Sequence, residues 1–286
     1  MEHASGPSTP EGASPRDRGA GVAGVRAAAG GVTARAVAPD GAGIAFDVRG
    51  TGDPLVLLPG QANSRHWWST VRADLVGYRT VAVDTAGTGC SDDVVDRDWS
   101  TRRLARDVVA VLDAAGIDRA HLYGTSMGGR VAQWVAADHP DRVGALVLAC
   151  TTAGGPDAIP PAPEVLRRLA DPADNAAELR RLMVGPETTG PLTVLGDDTM
   201  SPAARAGHRR ASARHDAGDA IATITAPTLV LHGADDEFTP PGNGRRLAAR
   251  IPGAELLVLP GARHACFLDG RATAAVLTFL ARHPLR

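Results

Sequence analysis

Apolar runs too short for helices alternate along most of the chain with segments in which apolar positions recur every three or four residues. The runs at 55–58, 80–84, 120–123, 144–149, 227–232 and 255–259 are nearly continuous in Val, Leu and Ala, as strands covered on both faces require. The intervening stretches at about 65–76, 101–115, 127–138, 241–250 and 270–282 each carry one apolar stripe and predict amphipathic helices. Ahead of them, 32–38 and 43–48 alternate around Pro39-Asp40-Gly41-Ala42, which predicts a β-hairpin. The repeated order of strand and helix predicts an α/β fold: a mainly parallel sheet, eight strands with the hairpin, and helices on both faces.

Two segments break this rhythm. Residues 1–32 are rich in Gly, Ala, Pro, Ser and charge; they carry too little apolar surface to offset chain entropy and are expected to form a disordered tail. Within them Gly19-Ala20-Gly21-Val22-Ala23-Gly24 fits G-x-G-x-x-G, but no strand precedes it, so nucleotide binding is not expected. The second segment, 152–223, holds Pro- and Gly-rich turns and three helical patterns near 164–170, 174–183 and 202–215. It interrupts a body made of 33–151 and 224–286 and is expected to form a helical cap that shapes the ligand pocket. In its last pattern Arg205, Arg209, Arg210 and Arg214 read as a solvated face, with recognition of an acidic substrate as the alternative. Leu166, Leu169, Leu182 and Met183 fit a pocket lining and a seat on the body equally well.

The chemistry centres on Gly124-Thr125-Ser126-Met127-Gly128, which follows a predicted strand and opens a predicted helix. A serine on so tight a strand-to-helix turn adopts strained backbone angles, and glycines two residues before and after leave room for it. Its oxygen then stands at a helix N-terminus, where free amides favour developing negative charge. A hydroxyl needs a base, and the base needs an orienting carboxylate. The strand ending at His232 runs into Gly233-Ala234-Asp235-Asp236-Glu237-Phe238-Thr239-Pro240, and the next runs into Pro260-Gly261-Ala262-Arg263-His264. The order along the chain is therefore Ser, Asp, His.

In these motifs the chain resembles the α/β-hydrolase fold family over residues 33 to 282 or so. The resemblance implies Ser126 as nucleophile, His264 as base and then acid, and Asp236 as its carboxylate partner. Asp236 is preferred to Asp235 because, in the family, the acid lies three residues after the strand-end glycine and four before a proline. It also implies an oxyanion hole made by the amides of Gln61, after Leu55-Val56-Leu57-Leu58-Pro59-Gly60, and of Met127. Relatives carry His where this chain has Pro59, and Arg where the turn Asp84-Thr85-Ala86-Gly87-Thr88-Gly89-Cys90-Ser91 has Ala86, which removes charged hydrogen bonds between loops. Trp67 and Trp68 follow the oxyanion turn and are pocket candidates; being adjacent, at most one is expected to face the cleft. Asp84 is read as holding its turn, and His232 as a hydrogen-bonded structural histidine.

Function then follows as hydrolysis of an ester or lactone of a small molecule through an acyl-enzyme. Cofactor-free peroxyacid formation or C–C bond hydrolysis on the same triad are alternatives, as is a non-hydrolytic ligand-binding protein on this fold.

The 286 residues suffice for one such domain with an insertion. With 30 basic and 32 acidic residues and a net charge of −2, no field for holding polyanions exists, and nucleic acid is not an expected partner. Every basic residue is Arg, so Schiff-base, Ser–Lys and phosphate-loop lysine mechanisms are excluded. Cys90, Cys150 and Cys266 are scattered and are expected to be reduced, packed thiols. Neither H-E-x-x-H nor paired ligands at metal spacing occur, so no metal and no cofactor are expected. Without an 18-residue apolar run or a secretory signal pattern, a cytoplasmic protein off the membrane is expected.

Overall fold

The parallel strands form where the sequence is nearly continuously apolar, and their carboxyl ends lie along one edge of the sheet. The computed structural model describes residues 1, 32–94, 97–173, 175–185, 188 and 192–285. The expected tail, apart from Met1 and Val32, and its G-x-G-x-x-G run lie outside the described residues.

The hairpin pairs β1 (Val32–Val37) with β2 (Gly43–Arg49) in antiparallel register around Gly41, whose φ of 87° suits the turn. Then follow β3 (Asp53–Leu58), β4 (Tyr78–Val83), β5 (Ala120–Thr125), β6 (Val143–Ala149), β7 (Thr228–Gly233) and β8 (Glu255–Leu259). The sheet has eight strands in the order β1-β2-β4-β3-β5-β6-β7-β8, parallel from β4 onward. This is the mainly parallel α/β architecture that the alternation predicts.

Successive side chains of each strand serve opposite layers. Val56 and Leu58 pack toward one core with Leu104 and Val108 of α1 (Thr101–Ala114) and Val131 and Val135 of α2 (Met127–Asp138). Leu55 and Leu57 pack toward the other with Trp67, Trp68 and Phe279, the last from α7 (Gly270–Ala281). Helix α6 (Gly242–Arg250) joins the first layer through Leu247. Burial on both faces is why these strands read as unbroken apolar runs.

One expected helix is absent. Residues 65–76 form two 3₁₀ turns, Arg65–Trp68 and Arg72–Asp74. Trp67 stacks on Phe267 (5.1 Å) while Trp68 tilts onto Tyr123 (4.8 Å) and Phe267 (5.1 Å). Seating two neighbouring indoles on one aromatic cluster outweighs the weak preference of so short a segment for an α-helix.

Between β6 and β7 the chain makes α3 (Pro163–Ala170), α4 (Asn175–Met183) and α5 (Pro202–Ala213). The arms of this insertion are zipped at its base by a bridge of Gly154 with Asp216 and the bond from the Ala217 amide to the Ala153 carbonyl (2.8 Å).

Candidate active site

Ser126 joins β5 to α2 at φ 51°, ψ −118°, a left-handed conformation that costs a non-glycine residue energy unless its surroundings hold it. They do. The Ser126 amide donates to the Ala149 carbonyl (2.9 Å), and its carbonyl accepts from the Thr151 hydroxyl (2.7 Å) and the Arg130 amide (3.2 Å). The flanking glycines are required by close approach: a Cβ on Gly124 would strike the Gly128 carbonyl, and one on Gly128 would strike the Leu58 carbonyl and lie 2.6 Å from that of Pro59. The side chain of Ser126 is thereby presented to a cavity of about 430 Å³ between the sheet edge and the insertion.

Asp236 follows β7 and is 2% exposed, whereas Asp235 points to solvent. Its Oδ1 accepts from the amides of Phe238 (2.9 Å) and Thr239 (2.8 Å), and its Oδ2 accepts from His264 Nδ1 (2.9 Å). Burial opposes the charge of Asp236, but the charges and hydrogen bonds of His264 and His232 outweigh it and hold the carboxyl well below the usual range. The imidazole of His264 is thus fixed with Nδ1 protonated and Nε2 free to accept. Among the described residues Nε2 has no hydrogen-bond partner, so the link to Ser126 that the resemblance implies is not closed. Phe238 covers the imidazole edge-on at 4.8 Å and itself lines the cavity.

Because β5, β7 and β8 are parallel, Ser126, Asp236 and His264 all emerge at the carboxyl ends of their strands, on one side of the sheet. Gln61 lines the cavity beside Ser126. Met127 is the first residue of α2, where geometry leaves its amide without an intrahelical acceptor. Of the two tryptophans, Trp67 lines the cavity and Trp68 lies beneath it, fully buried.

His232 donates from Nε2 to the Thr239 carbonyl (2.7 Å) and stands 3.4 Å from Asp236 Oδ2. Cys150, Asp236 and His264 offer atoms within 4.8 Å of one another, the grouping nearest to a metal donor set among the described residues. The Asp and His atoms already satisfy each other, and burial pushes the Cys150 thiol well up, leaving it protonated at neutral pH; the set fits a hydrogen-bonded Asp–His pair beside a packed thiol better than a cation site. Cys150 packs against Cys266, their sulfurs 3.0 Å apart.

Asp84 holds loops together. It accepts from the amides of Arg65 (2.7 Å) and Cys90 (2.9 Å) and pairs with the Arg65 guanidinium. Arg65 and His208 occupy the neighbourhood where relatives carry an Arg in place of Ala86: Arg65 takes Asp84, and His208 Nε2 donates to the Ala86 carbonyl (2.8 Å).

The insertion supplies the outer wall. Leu169 and Met183 line the cavity, Leu182 is fully buried beside the His264 loop, and Leu166 is exposed. Arg205 and Arg209 also line it, so two members of the arginine series read as a solvated face border the cavity that Ser126 faces. His208 escaped the sequence reading altogether. Its signal was its place among Ala204, Gly207 and Ala211, which make the buried face of α5.

Residues 53–203 match the family described as alpha/beta hydrolase fold. A 2-hydroxy-6-oxononadienedioate/2-hydroxy-6-oxononatrienedioate hydrolase of Burkholderia vietnamiensis is 32% identical over 240 residues, spanning 77% of this chain and 83% of its own. Among solved structures, an esterase of Rhodococcus sp. ECU1013 is 30% identical with a TM-score of 0.76, covering 88% of this chain and 99% of that one. A hydrolase of Pseudomonas aeruginosa is 30% identical with a TM-score of 0.74 over 87% and 98% of the two chains.

Proposed function

The chain belongs to the alpha/beta hydrolase fold family, and from that premise we propose that Ser126, His264 and Asp236 act as its catalytic triad on an ester or lactone of a small molecule. His264 Nε2 takes the hydroxyl proton as Ser126 Oγ attacks the carbonyl carbon. The amides of Gln61 and Met127 meet the charge that develops on the carbonyl oxygen. Collapse expels the alcohol, protonated by His264, and leaves an acyl-serine. Water, deprotonated by the same imidazole, then releases the acid and restores the serine.

The observation that carries this reading is the strained Ser126, facing a cavity on the side of the sheet where His264 is already locked by Asp236 into the tautomer a base needs. The unclosed contact at Nε2 agrees with catalytic hydrogen bonds that are long before substrate arrives. In this reading 33–151 and 224–286 form the body and 152–223 the cap, and the three free thiols suit a cytoplasmic enzyme. Among the described residues no helix is long and apolar enough to cross a membrane.

The test is covalent labelling by a fluorophosphonate, followed by rates on p-nitrophenyl esters of graded length and a lactone panel. Labelling at Ser126 together with turnover is expected; a protein that neither labels nor turns over any of them is not a serine hydrolase.

A second reading, hydrolysis of a C–C bond in a carboxylate-bearing ketone, is favoured by the guanidiniums of Arg205 and Arg209 in the cavity wall. The substrate named for the Burkholderia relative is a dicarboxylate. If it holds, Arg209→Gln raises KM about tenfold or more for acidic substrates and leaves neutral esters unaffected, the loss of one charge-assisted hydrogen bond. Equal KM values for both substrate types in the two proteins would remove this reading and leave the first.

A further inference from the structure

Gln61 precedes a residue that is held from outside the body. Ala62 has φ 57°, a left-handed conformation that L side chains adopt only under constraint. Both of its backbone polar groups are bound by the cap. Its amide donates to His208 Nδ1 on α5 (3.1 Å), and its carbonyl accepts from the Asp197 amide (2.8 Å). The next residue, Asn63, accepts from the Gly196 amide through its side chain (3.0 Å).

His208 is fully buried, and its partners define its tautomer: Nδ1 accepts from an N–H, so the proton sits on Nε2 and donates to the Ala86 carbonyl (2.8 Å). Burial lowers its pKa to about 4, which keeps it neutral with Nδ1 available as an acceptor. The ring is fixed by Trp99 (5.3 Å), on which Gly207 also packs, and Ala204 of the same helix fills the space beside Gly87. One imidazole thus bridges the oxyanion turn and the 84–91 turn, a rigid strut with a donor at one end and an acceptor at the other.

We propose that His208 is a positioning residue for catalysis: by accepting from the Ala62 amide it fixes the strained turn that aims the neighbouring Gln61 amide at the reacting carbonyl oxygen. The proposal rests on the assignment of the Gln61 amide as an oxyanion donor. His208 does not touch substrate and takes no proton. Its effect is on transition-state stabilisation, which depends steeply on donor position.

Two conservative replacements separate the ends of the strut. Asn sets its carbonyl oxygen near the place of Nδ1 and can still accept from Ala62; Gln sets its amide near the place of Nε2 and can still donate to Ala86 but abandons Ala62. For His208→Gln, kcat per titrated active site on p-nitrophenyl acetate is expected to fall about 10²-fold with KM changed less than about threefold, as for a misaimed oxyanion donor. His208→Asn is expected to retain kcat within about threefold, the chemistry at Ala62 being preserved. Amide hydrogen exchange of the 60–63 segment should accelerate in the Gln variant and not in the Asn variant. Parent-like kcat per titrated site in both variants, equal losses in both, or unchanged exchange in the Gln variant overturns the proposal. Should the parent fail to acylate, the hydrolase reading fails, and hydrogen exchange alone still decides whether His208 holds the turn.

Discussion

The backbone amide of His264 donates to the carbonyl of Leu182 at 3.1 Å, and that of Ala265 donates to Met183 at 2.9 Å, so the loop bearing the proposed base is pinned to the last turn of α4. Leu182 is fully buried there. Leu182→Ala is expected to cost about 2–5 kcal/mol of stability through the cavity it leaves. Loosening of the His264 loop should add a fall in kcat per titrated site; denaturant midpoints and active-site titration on the same samples measure the two effects separately.

Ser126→Ala should abolish fluorophosphonate labelling and lower ester turnover by at least about 10³-fold, with the circular dichroism spectrum and melting temperature preserved. Asp236→Asn keeps the shape but replaces one acceptor oxygen with a donor, which disfavours the Nδ1–H tautomer of His264. A loss of about 10⁴-fold in kcat is expected if the amide nitrogen faces the imidazole. Parent-level rates in either variant contradict the assigned triad.

Gly128→Ala should be among the most damaging single-methyl additions in the protein. The new Cβ would meet the carbonyl of Leu58 at the end of β3 and that of Pro59 in the turn after it, both backbone and neither able to move alone. Destabilisation of about 3 kcal/mol or more is expected, from overpacking at a site that cannot relax. Gly253→Ala supplies the contrast: its Cβ meets nothing within 4 Å, and only the positive φ of 69° is strained, so a loss of about 1 kcal/mol is expected. Chemical denaturation of the pair decides it.

Acid should unfold the protein through two buried histidines. Burial lowers the pKa of His208 to about 4, with Arg97 and Arg205 also disfavouring its charge, and that of His215 to about 3, with Arg130 adding to the effect, both from 6.5. The unfolded chain therefore binds protons that the folded chain refuses as pH falls from about 6.5 to 4. Stability is full above that window and declines within it, by roughly 1.4 kcal/mol per pH unit for each histidine once its unfolded form is protonated. In urea titrations at stepped pH, the slope should be shallower for His208→Asn than for the parent. An unchanged slope would show that His208 does not titrate differently in the two states.

The sheet was legible because parallel strands buried on both sides are mostly apolar along their whole length; β5, β6 and β7 are buried at every residue, and their few polar side chains, His121, Thr125, Thr228 and His232, are too sparse to break the runs. Asp236 was preferred to Asp235 through the family resemblance, in which the acid lies three residues after the strand-end glycine and four before a proline; Asp236 is the one of the pair that bonds His264. The 65–76 segment was misread because its conformation is decided by Phe267 and Tyr123, which lie far along the chain and have no trace in its own periodicity. On α5 the period was visible, but period gives a helix its faces without saying what each face meets. The buried face therefore hid His208 against the 60–63 turn, and the face read as solvated holds Arg205 and Arg209 at the cavity.

Since Ala62 has its amide held by α5 and its carbonyl by the Asp197 amide, the segment 152–223 is no interchangeable lid. A replacement of the whole segment would keep the 60–63 turn in place only if it again offered an acceptor to the Ala62 amide and a donor to the Ala62 carbonyl, however well the new pocket suited its ligand. Single replacements at cavity-lining positions such as Leu169, Leu179 or Leu195 alter the pocket and leave both contacts around Ala62 untouched.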